Sequence, residues 1–332
     1  MNGQITQPAP AAAAEAARAP RTQPAVLVAL DGSAAAAAAM PAAQCLARWL
    51  EMPLHLLHVA TNALATPAVQ HLLRLDDDLN LDLATAPMVE LDVRAGDPVT
   101  EILRAVAEPA TYLTVLTTHG RAIEPGRHLG HIAEQVIART MQPILLVRPE
   151  AAAAAAAAIE ARRFLLPLDG KAATARALGR VTDIVQRLGG SFDVLFVADP
   201  AQLASAAPAA PGTEESGNLG IPRYVDQLQH EWPAWIHEVL AHLSACSARY
   251  PLGIPARVHV VGTAGMADGT VAAVVLQFVA DHRDDVIVLV RRSRLEPGRA
   301  QILRTLLDQT PCPVLLTGAS GRTESRVSEV AE

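Results

Sequence analysis

The sequence predicts an α/β protein made of two tandem domains, each a five-stranded parallel-sheet α/β sandwich. Apolar runs of strand length alternate with helical stretches along the chain, as in strand-helix-strand units. The order of these runs is repeated once. Runs such as VIVLV at 286–290 are continuously apolar, which is typical of parallel strands covered on both faces. The length of 332 residues also suits two domains.

The internal repeat rests on four segments that recur in the same order. Two are strand-like runs, one is a Glu-Pro-Gly-Arg motif and one is a closing strand after proline. The segments at 25–33, 54–59, 124–127 and 143–147 recur at 163–171, 192–197, 296–299 and 313–317. This order and spacing indicate two homologous halves.

We predict five strands in each half from the apolar runs. In the first half they lie at 25–31, 53–59, 88–94, 112–117 and 143–148. In the second half they lie at 163–169, 191–197, 256–262, 285–290 and 313–317. We therefore place one domain at 24–149, which we call half one, and the other at 162–317, which we call half two.

Four segments fall outside this scheme. The Ala/Pro-rich leader at 1–23 and the polar tail at 318–332 are predicted to be disordered or flexible. The alanine-rich linker at 150–161 is either a short helical spacer or a loose link. The Pro- and Gly-rich stretch at 200–222 is predicted to be a long loop inserted only in half two.

Composition excludes several classes of function. The 27 Lys and Arg against 34 Asp and Glu give a net charge of −7, the wrong sign for neutralising nucleic-acid phosphates. No window offers the ~20 uncharged apolar residues of a membrane span. The three cysteines are far apart and form no Cys-x-x-Cys pair, so we expect them reduced and buried in a cytoplasmic protein.

No catalytic signature is present, so we do not expect an enzyme. The sequence has no Gly-x-Ser-x-Gly elbow, no Walker P-loop and no paired-carboxylate pattern. Histidines at 119, 128 and 131 make a metal site conceivable, but no Cys or carboxylate stands at ligand spacing, and we expect none.

The loops at the carboxyl ends of the strands are where an open parallel sheet binds ligands. In half one the first such loop holds Asp31, Gly32 and Ser33, and Thr-Thr-His-Gly at 117–120 follows the fourth strand. A carboxylate there can accept hydrogen bonds from a ribose or a base edge. Glycines before a helix let backbone N–H groups approach phosphate. The combination suits a nucleotide.

These motifs resemble the universal stress protein family. The resemblance is carried by Leu-Asp-Gly-Ser at 30–33, Thr-His-Gly at 118–120, the nine residues to Gly130 and the closing PILLVRP at 143–149. It covers both halves. It implies tandem domains of the adenine nucleotide alpha-hydrolase-like, universal stress protein type, and a regulatory or sensing role.

The resemblance implies a binding site for ATP or another adenine nucleotide in half one, with Mg²⁺ only if ATP is bound. Asp31, with Gly32 and Ser33, matches the acid that contacts adenosine, and Val59 matches the backbone contact to adenine. The N–H groups at Gly120, Gly130 and His131, with Ile132 following, would meet the phosphates.

Two positions of half one depart from the family pattern. Thr117 stands at the first glycine and puts a β-branched side chain where the backbone should approach the ligand. His131 replaces a Ser or Thr whose hydroxyl meets phosphate, although its ring can still donate an N–H.

The corresponding loop of half two has lost most of the pattern. It holds arginines at 291, 292, 294 and 299, and Gly298 is its only glycine. We expect no standard nucleotide site there. The arginines either bind an anion or an acidic partner, or belong to a solvated loop.

Three hypotheses stay open. The first is a nucleotide-responsive module, the second a nucleotide-free interaction scaffold for an unknown protein partner, and the third a hydrolase favoured by the architecture alone. The resemblance also implies that the closing strands pair edge to edge within one chain, with a homodimer through the outer helices as a further option.

Overall fold

The computed structural model describes residues 23–60, 88–120, 129–168, 178–198, 256–262, 271–282, 286–291 and 300–318. Residues 1–22 of the leader, the 200–222 insertion, the tail beyond 318 and the arginines at 292, 294 and 299 lie outside these residues. So do His128, Asp169 and Cys246.

Half one alternates strands and helices as the repeat predicts. Its elements are β1 (Ala25–Leu30), α1 (Ala34–Ala37), α2 (Met40–Leu50), β2 (Leu54–Ala60), β3 (Val89–Ala95), α3 (Pro98–Ala107), β4 (Thr111–Thr117), α4 (His131–Arg139) and β5 (Ile144–Val147).

Half two repeats this alternation after a connecting helix. The elements are α5 (Ala152–Ala161), β6 (Arg163–Leu168), α6 (Leu178–Arg187), β7 (Ser191–Ala198), β8 (Ala256–Gly262), α7 (Val271–His282), β9 (Val286–Arg291), α8 (Ala300–Gln309) and β10 (Val314–Gly318).

All ten predicted strands are present in these residues, and each end lies within about one residue of its predicted position. One difference touches the candidate site. The prediction ended β2 at Val59, whereas the strand runs to Ala60 and both residues pair with β3. Ala60 is therefore also a strand residue, because β3 continues alongside it.

The ten strands form a single sheet in the order β3-β2-β1-β4-β5-β10-β9-β6-β7-β8. Pairing is parallel within each half, and β5 pairs with β10 in the antiparallel sense. This is the intramolecular pairing of closing strands that the sequence analysis expects. Leu145 pairs with Leu315, its own counterpart in the repeat, so a pseudo-twofold axis passes between them.

Each face of the sheet carries an apolar core that runs across both halves. One core packs α2, α5 and α6 against residues such as Val28 and Val288. The other packs α3, α4, α7 and α8 against residues such as Leu27 and Ile287. Strands with helices on both faces explain why their sequences are continuously apolar.

The alanine-rich linker is helical, so the structure decides between the two possibilities that the sequence left open. Ala155, Ala158 and Ile159 are buried on the side that belongs to the first core. The helix ends at Arg162, whose φ of 55° is left-handed. The Arg162 guanidinium lies 3.9 Å from the ring centre of Trp49, so cation–π contact ties the end of α5 to α2.

Side chains also join the halves across the β5–β10 junction. Arg148 donates from Nη1 to the carbonyls of Asp308 and Thr310, each at 3.0 Å, and so caps the carboxyl end of α8. The Tyr112 hydroxyl donates to Asp183 on α6 at 2.8 Å. Burial first, and then the charge of Asp183, raise the pKa of Tyr112.

The sequence analysis expects buried cysteines. In the described part of the chain, Cys45 and Cys312 are each only partly buried. Burial still raises the pKa of the Cys45 thiol, more than the charge of Arg48 lowers it. Among the described helices, none is long and apolar enough to cross a membrane.

Candidate functional site

The end of β1 is shaped by Asp31 and Ser33. Oδ1 of Asp31 accepts from the Ser33 N–H at 2.8 Å and from the Ser33 hydroxyl at 2.5 Å. The same hydroxyl accepts from the Ala36 N–H, so Ser33 caps α1. Gly32 between them has a φ of 78°, which a side chain would disfavour. The Asp31 carboxylate is thereby held in one orientation at the carboxyl edge of the sheet.

The loop after β4 meets this carboxylate. A Cβ built on Gly120 would lie 2.6 Å from Oδ2 of Asp31. Only glycine therefore lets the loop lie this close without moving the carboxylate. Thr118 fixes the loop on the sheet, because its N–H donates to the Val147 carbonyl at 2.9 Å and its side chain is fully buried.

Gly130 joins the start of α4 to the same loop. Its N–H donates to the Thr118 carbonyl at 2.7 Å, and a Cβ on it would lie 3.4 Å from that oxygen. This corrects one expectation, because the N–H assigned to phosphate is already used within the backbone. Gly130 is instead the residue that begins α4 beside His119, and the next N–H groups are those of His131 and Ile132.

His131 and Ile132 form the exposed first turn of α4. Nε2 of His131 accepts from the Gln135 side-chain amide, whose oxygen in turn accepts from Arg139. The imidazole is therefore held along the helix surface. Ile132 is 38% exposed, which is high for an isoleucine in this protein.

Val59 and Thr117 are strand residues of the sheet. Val59 packs against the second core near the end of β2. Thr117 is the last residue of β4, pairs with Val147 and is 9% exposed. The first-glycine position of the family pattern is thus an ordinary buried strand position in this chain.

His58 is a residue that the sequence analysis missed. It is 7% exposed, pairs in register with Leu30, and its Nδ1 lies 2.9 Å from the Leu30 carbonyl. Leu30 directly precedes Asp31. The signal available in the sequence was a polar residue inside the apolar run LHLLHV.

Two carboxylates, those of Asp97 and Glu150, flank the loop after β4 that holds Gly120. The hydroxyl and N–H of Thr100 donate to Asp97 and hold its pKa below the usual range, with the charges of Arg139 and His131 acting in the same direction. Burial would raise the pKa of Glu150, but hydrogen bonds from its own N–H and from Arg148 outweigh it and lower that pKa. Both groups are ionised at neutral pH.

No three His, Cys, Asp or Glu side chains come together as metal ligands would, among the residues described. His119, one of the three histidines considered, has Nδ1 2.9 Å from the Thr118 hydroxyl. In half two the aspartate at 169 and the arginine loop fall outside the described residues, so only half one yields a site geometry.

The fold and the sequence define a class: a tandem α/β protein in which the first strand of each half is followed in the sequence by Asp-Gly. The sequence profile of the universal stress protein family matches residues 24–148 and 160–318. The chain therefore belongs to the universal stress protein family. Among curated proteins, none matches it.

Two solved structures that cover most of this chain agree on the fold. A universal stress protein from Archaeoglobus fulgidus DSM 4304 is 15% identical with a TM-score of 0.59, covering 89% of this chain and 98% of that one. A protein of unknown function from Pseudomonas aeruginosa PAO1 is 13% identical with a TM-score of 0.53, covering 90% and 93%. A universal stress protein in complex with cAMP covers 39% of this chain and 99% of its own, with 23% identity and a TM-score of 0.33.

Proposed function

We propose that half one binds ATP or another adenine nucleotide and that the protein is a cytoplasmic regulatory or sensing module without catalytic activity. The observation that carries the proposal is the contact between Asp31 and Gly120. It joins the ends of β1 and β4 and the start of α4 at one edge of the sheet, where an open parallel sheet binds its ligands.

The proposed contacts follow from the chemistry of each group. The Asp31 carboxylate accepts hydrogen bonds from ribose hydroxyls, and the Ser33 bonds orient it for that task. The backbone at Val59 reads adenine. The N–H groups at Gly120, His131 and Ile132 donate to phosphate at the positive end of α4. Mg²⁺ enters only with ATP, because the proposed donors to phosphate are N–H groups.

The nucleotide-free scaffold is the second candidate, and two observations favour it. Thr117 is buried in β4 where the family pattern has a glycine, and the Gly130 N–H is used by Thr118. Both reduce the donors open to a triphosphate. In that reading the partner is a protein, bound by segments such as the 200–222 insertion.

The test is a calorimetric titration with ATP, with and without Mg²⁺, and with AMP and cyclic AMP. The wild type is compared with Asp31→Asn, Asp31→Ala and Gly120→Ala. Asn keeps an oxygen for Ser33 and removes only the charge, whereas Ala removes both. The matched control is Asp169→Ala, at the corresponding position of half two.

We expect one site per chain. Asp31→Ala and Gly120→Ala should each weaken binding by about 10- to 100-fold, since a hydrogen bond to a charged group contributes about 1.5–3 kcal/mol. Asp169→Ala should leave the affinity unchanged. No heat with any of the nucleotides, together with no nucleotide in the denatured protein, would favour the scaffold. Phosphate release above the blank would reject the non-catalytic role.

A further inference from the structure

His58 is a buried polar side chain that directly precedes Val59 in the chain. It stands on β2 opposite Leu30, the last residue of β1. A carbonyl oxygen can only accept, so the 2.9 Å contact between Nδ1 and the Leu30 carbonyl requires a proton on Nδ1. This contact therefore fixes the tautomer of the ring: the neutral imidazole is protonated at Nδ1.

The accepting carbonyl lies where β1 leaves the sheet. The next residue is Asp31, and Gly32 then turns the chain with a φ of 78°. An imidazole bonded to Leu30 thus holds the last peptide group before the carboxylate. On the other side, Ser33 and Gly120 confine the carboxylate itself. A shift at Leu30 would be passed directly to Asp31, since they are neighbours in the chain.

Half two offers a natural comparison. In the aligned runs LHLLHV and FDVLFV, the residue corresponding to His58 is Phe196, which cannot donate to a carbonyl. The half that keeps the second and third glycines also keeps the histidine. The half without those glycines has an apolar ring instead.

We propose that His58 is a positioning residue for the nucleotide site: its Nδ1–H holds the Leu30 carbonyl and so sets where Asp31 meets the ligand. This inference rests on the proposed nucleotide binding in half one. His58 would act without touching the ligand, unlike the residues proposed above to contact it.

Two substitutions separate positioning from packing. The amide of His58→Asn can place its N–H near the position of Nδ1, whereas the longer side chain of His58→Gln places it near Nε2. Both are neutral amides of similar polarity, so a comparable loss of packing is expected. His55→Gln is the control, because His55 is a buried histidine of the same strand that pairs in register with Leu27 and is bonded to Asp92.

Affinity is measured by calorimetry with ATP, AMP and cyclic AMP, beside a thermal melt of each variant. We expect His58→Asn to bind within about threefold of the wild type and His58→Gln to bind about tenfold more weakly, the effect of one lost hydrogen bond. His55→Gln should lower the melting temperature without changing affinity. A His58→Gln variant that binds like the wild type would overturn the proposal.

The tautomer gives a readout that does not depend on any ligand. Long-range ¹H–¹⁵N correlation on histidine-labelled protein distinguishes a proton on Nδ1 from one on Nε2, and His58→Asn assigns the signal. We expect the proton on Nδ1, and a proton on Nε2 would contradict the role even if nucleotide binds. If the wild type binds no nucleotide, the proposed function fails and this role fails with it.

Discussion

The two halves use the same pair of side chains in opposite places. In half one His55 of β2 lies 3.2 Å from Asp92 of β3. In half two the same two strand positions hold Asp193 and His259, whose side chains are 2.9 Å apart. The register is equivalent, because Asp92 stands opposite Leu57 and His259 stands opposite Leu195, two residues after His55 and Asp193 respectively.

The surroundings of the two pairs differ. In half one Arg94 donates to Asp92 at 3.0 Å and to Glu108 at 2.6 Å. Burial works against the charge of Arg94, but these bonds outweigh it and its pKa is raised. In half two the ring of His259 meets Phe278 edge-on at 4.8 Å. The comparison teaches that the fold accommodates a His–Asp contact between these strands in either direction.

Exchanging the pair within half one is the prediction with the largest effect. His55→Asp alone places two carboxylates side by side and should lower the free energy of unfolding by about 3 kcal/mol. The double variant His55→Asp with Asp92→His reproduces the order of half two and should recover at least half of that loss. Urea denaturation measures both.

The mirror-image exchange at Asp193 and His259 is the control for this experiment. Recovery in neither half would mean that each pair depends on its direction. Recovery in half two alone would show that Arg94 fixes the direction in half one.

The β5–β10 junction supplies a second comparison. Arg148 and Gly318 both stand five residues after the proline of their closing strand. Arg148 caps α8 with its side chain, whereas Gly318 packs by its backbone, with a built Cβ only 2.6 Å from the Met141 carbonyl oxygen. Gly318→Ala should therefore cost about 2 kcal/mol through overpacking.

Arg148→Ala should cost less, about 1 kcal/mol, because it removes a partly exposed cap and an exposed ion pair with Glu150. Thermal unfolding of both variants measures the ranking. Equal losses would mean that the two positions contribute equally to stability, and a larger loss for Arg148→Ala would reverse the expected ranking.

The smallest effect is expected for an ion pair on the same axis. Glu134 stands nine residues before Pro143, and Arg304 stands nine residues before Pro313. The two side chains are bonded to each other at 3.0 Å. Both are partly exposed, so Glu134→Arg should cost about 0.5 kcal/mol and the double charge exchange with Arg304→Glu should restore it. A double-mutant cycle in low salt checks this, and a coupling energy of zero would mean that the ion pair does not contribute to stability.

Much of the fold could be predicted from the sequence because apolar runs, prolines and glycines are local signals. The strand VIVLV at 286–290 is an example, since a parallel strand covered on both faces is continuously apolar. The close approach of Asp31 to Gly120 could also be predicted from local signals, because both residues follow strands whose carboxyl ends meet at one edge of the sheet.

The rest depends on contacts between distant segments. The Gly130 N–H was assigned to phosphate because the sequence does not show that Thr118 already accepts from it. The alanine run became a helix through burial of Ile159 against the first core. His58 went unnoticed, since a histidine in an apolar run does not indicate which carbonyl it faces.

The pairing of β5 with β10 also changes how this sequence can evolve. In a dimer of identical subunits every substitution on the axis occurs twice, so a residue there must tolerate its own copy. In a chain that carries both halves, each substitution occurs once. A glutamate can therefore meet an arginine at equivalent positions, and a glycine can stand where its counterpart is an arginine. With both halves in one chain, the residues of the β5–β10 junction need not be complementary to their own copies. Each half can therefore diverge while the common sheet persists.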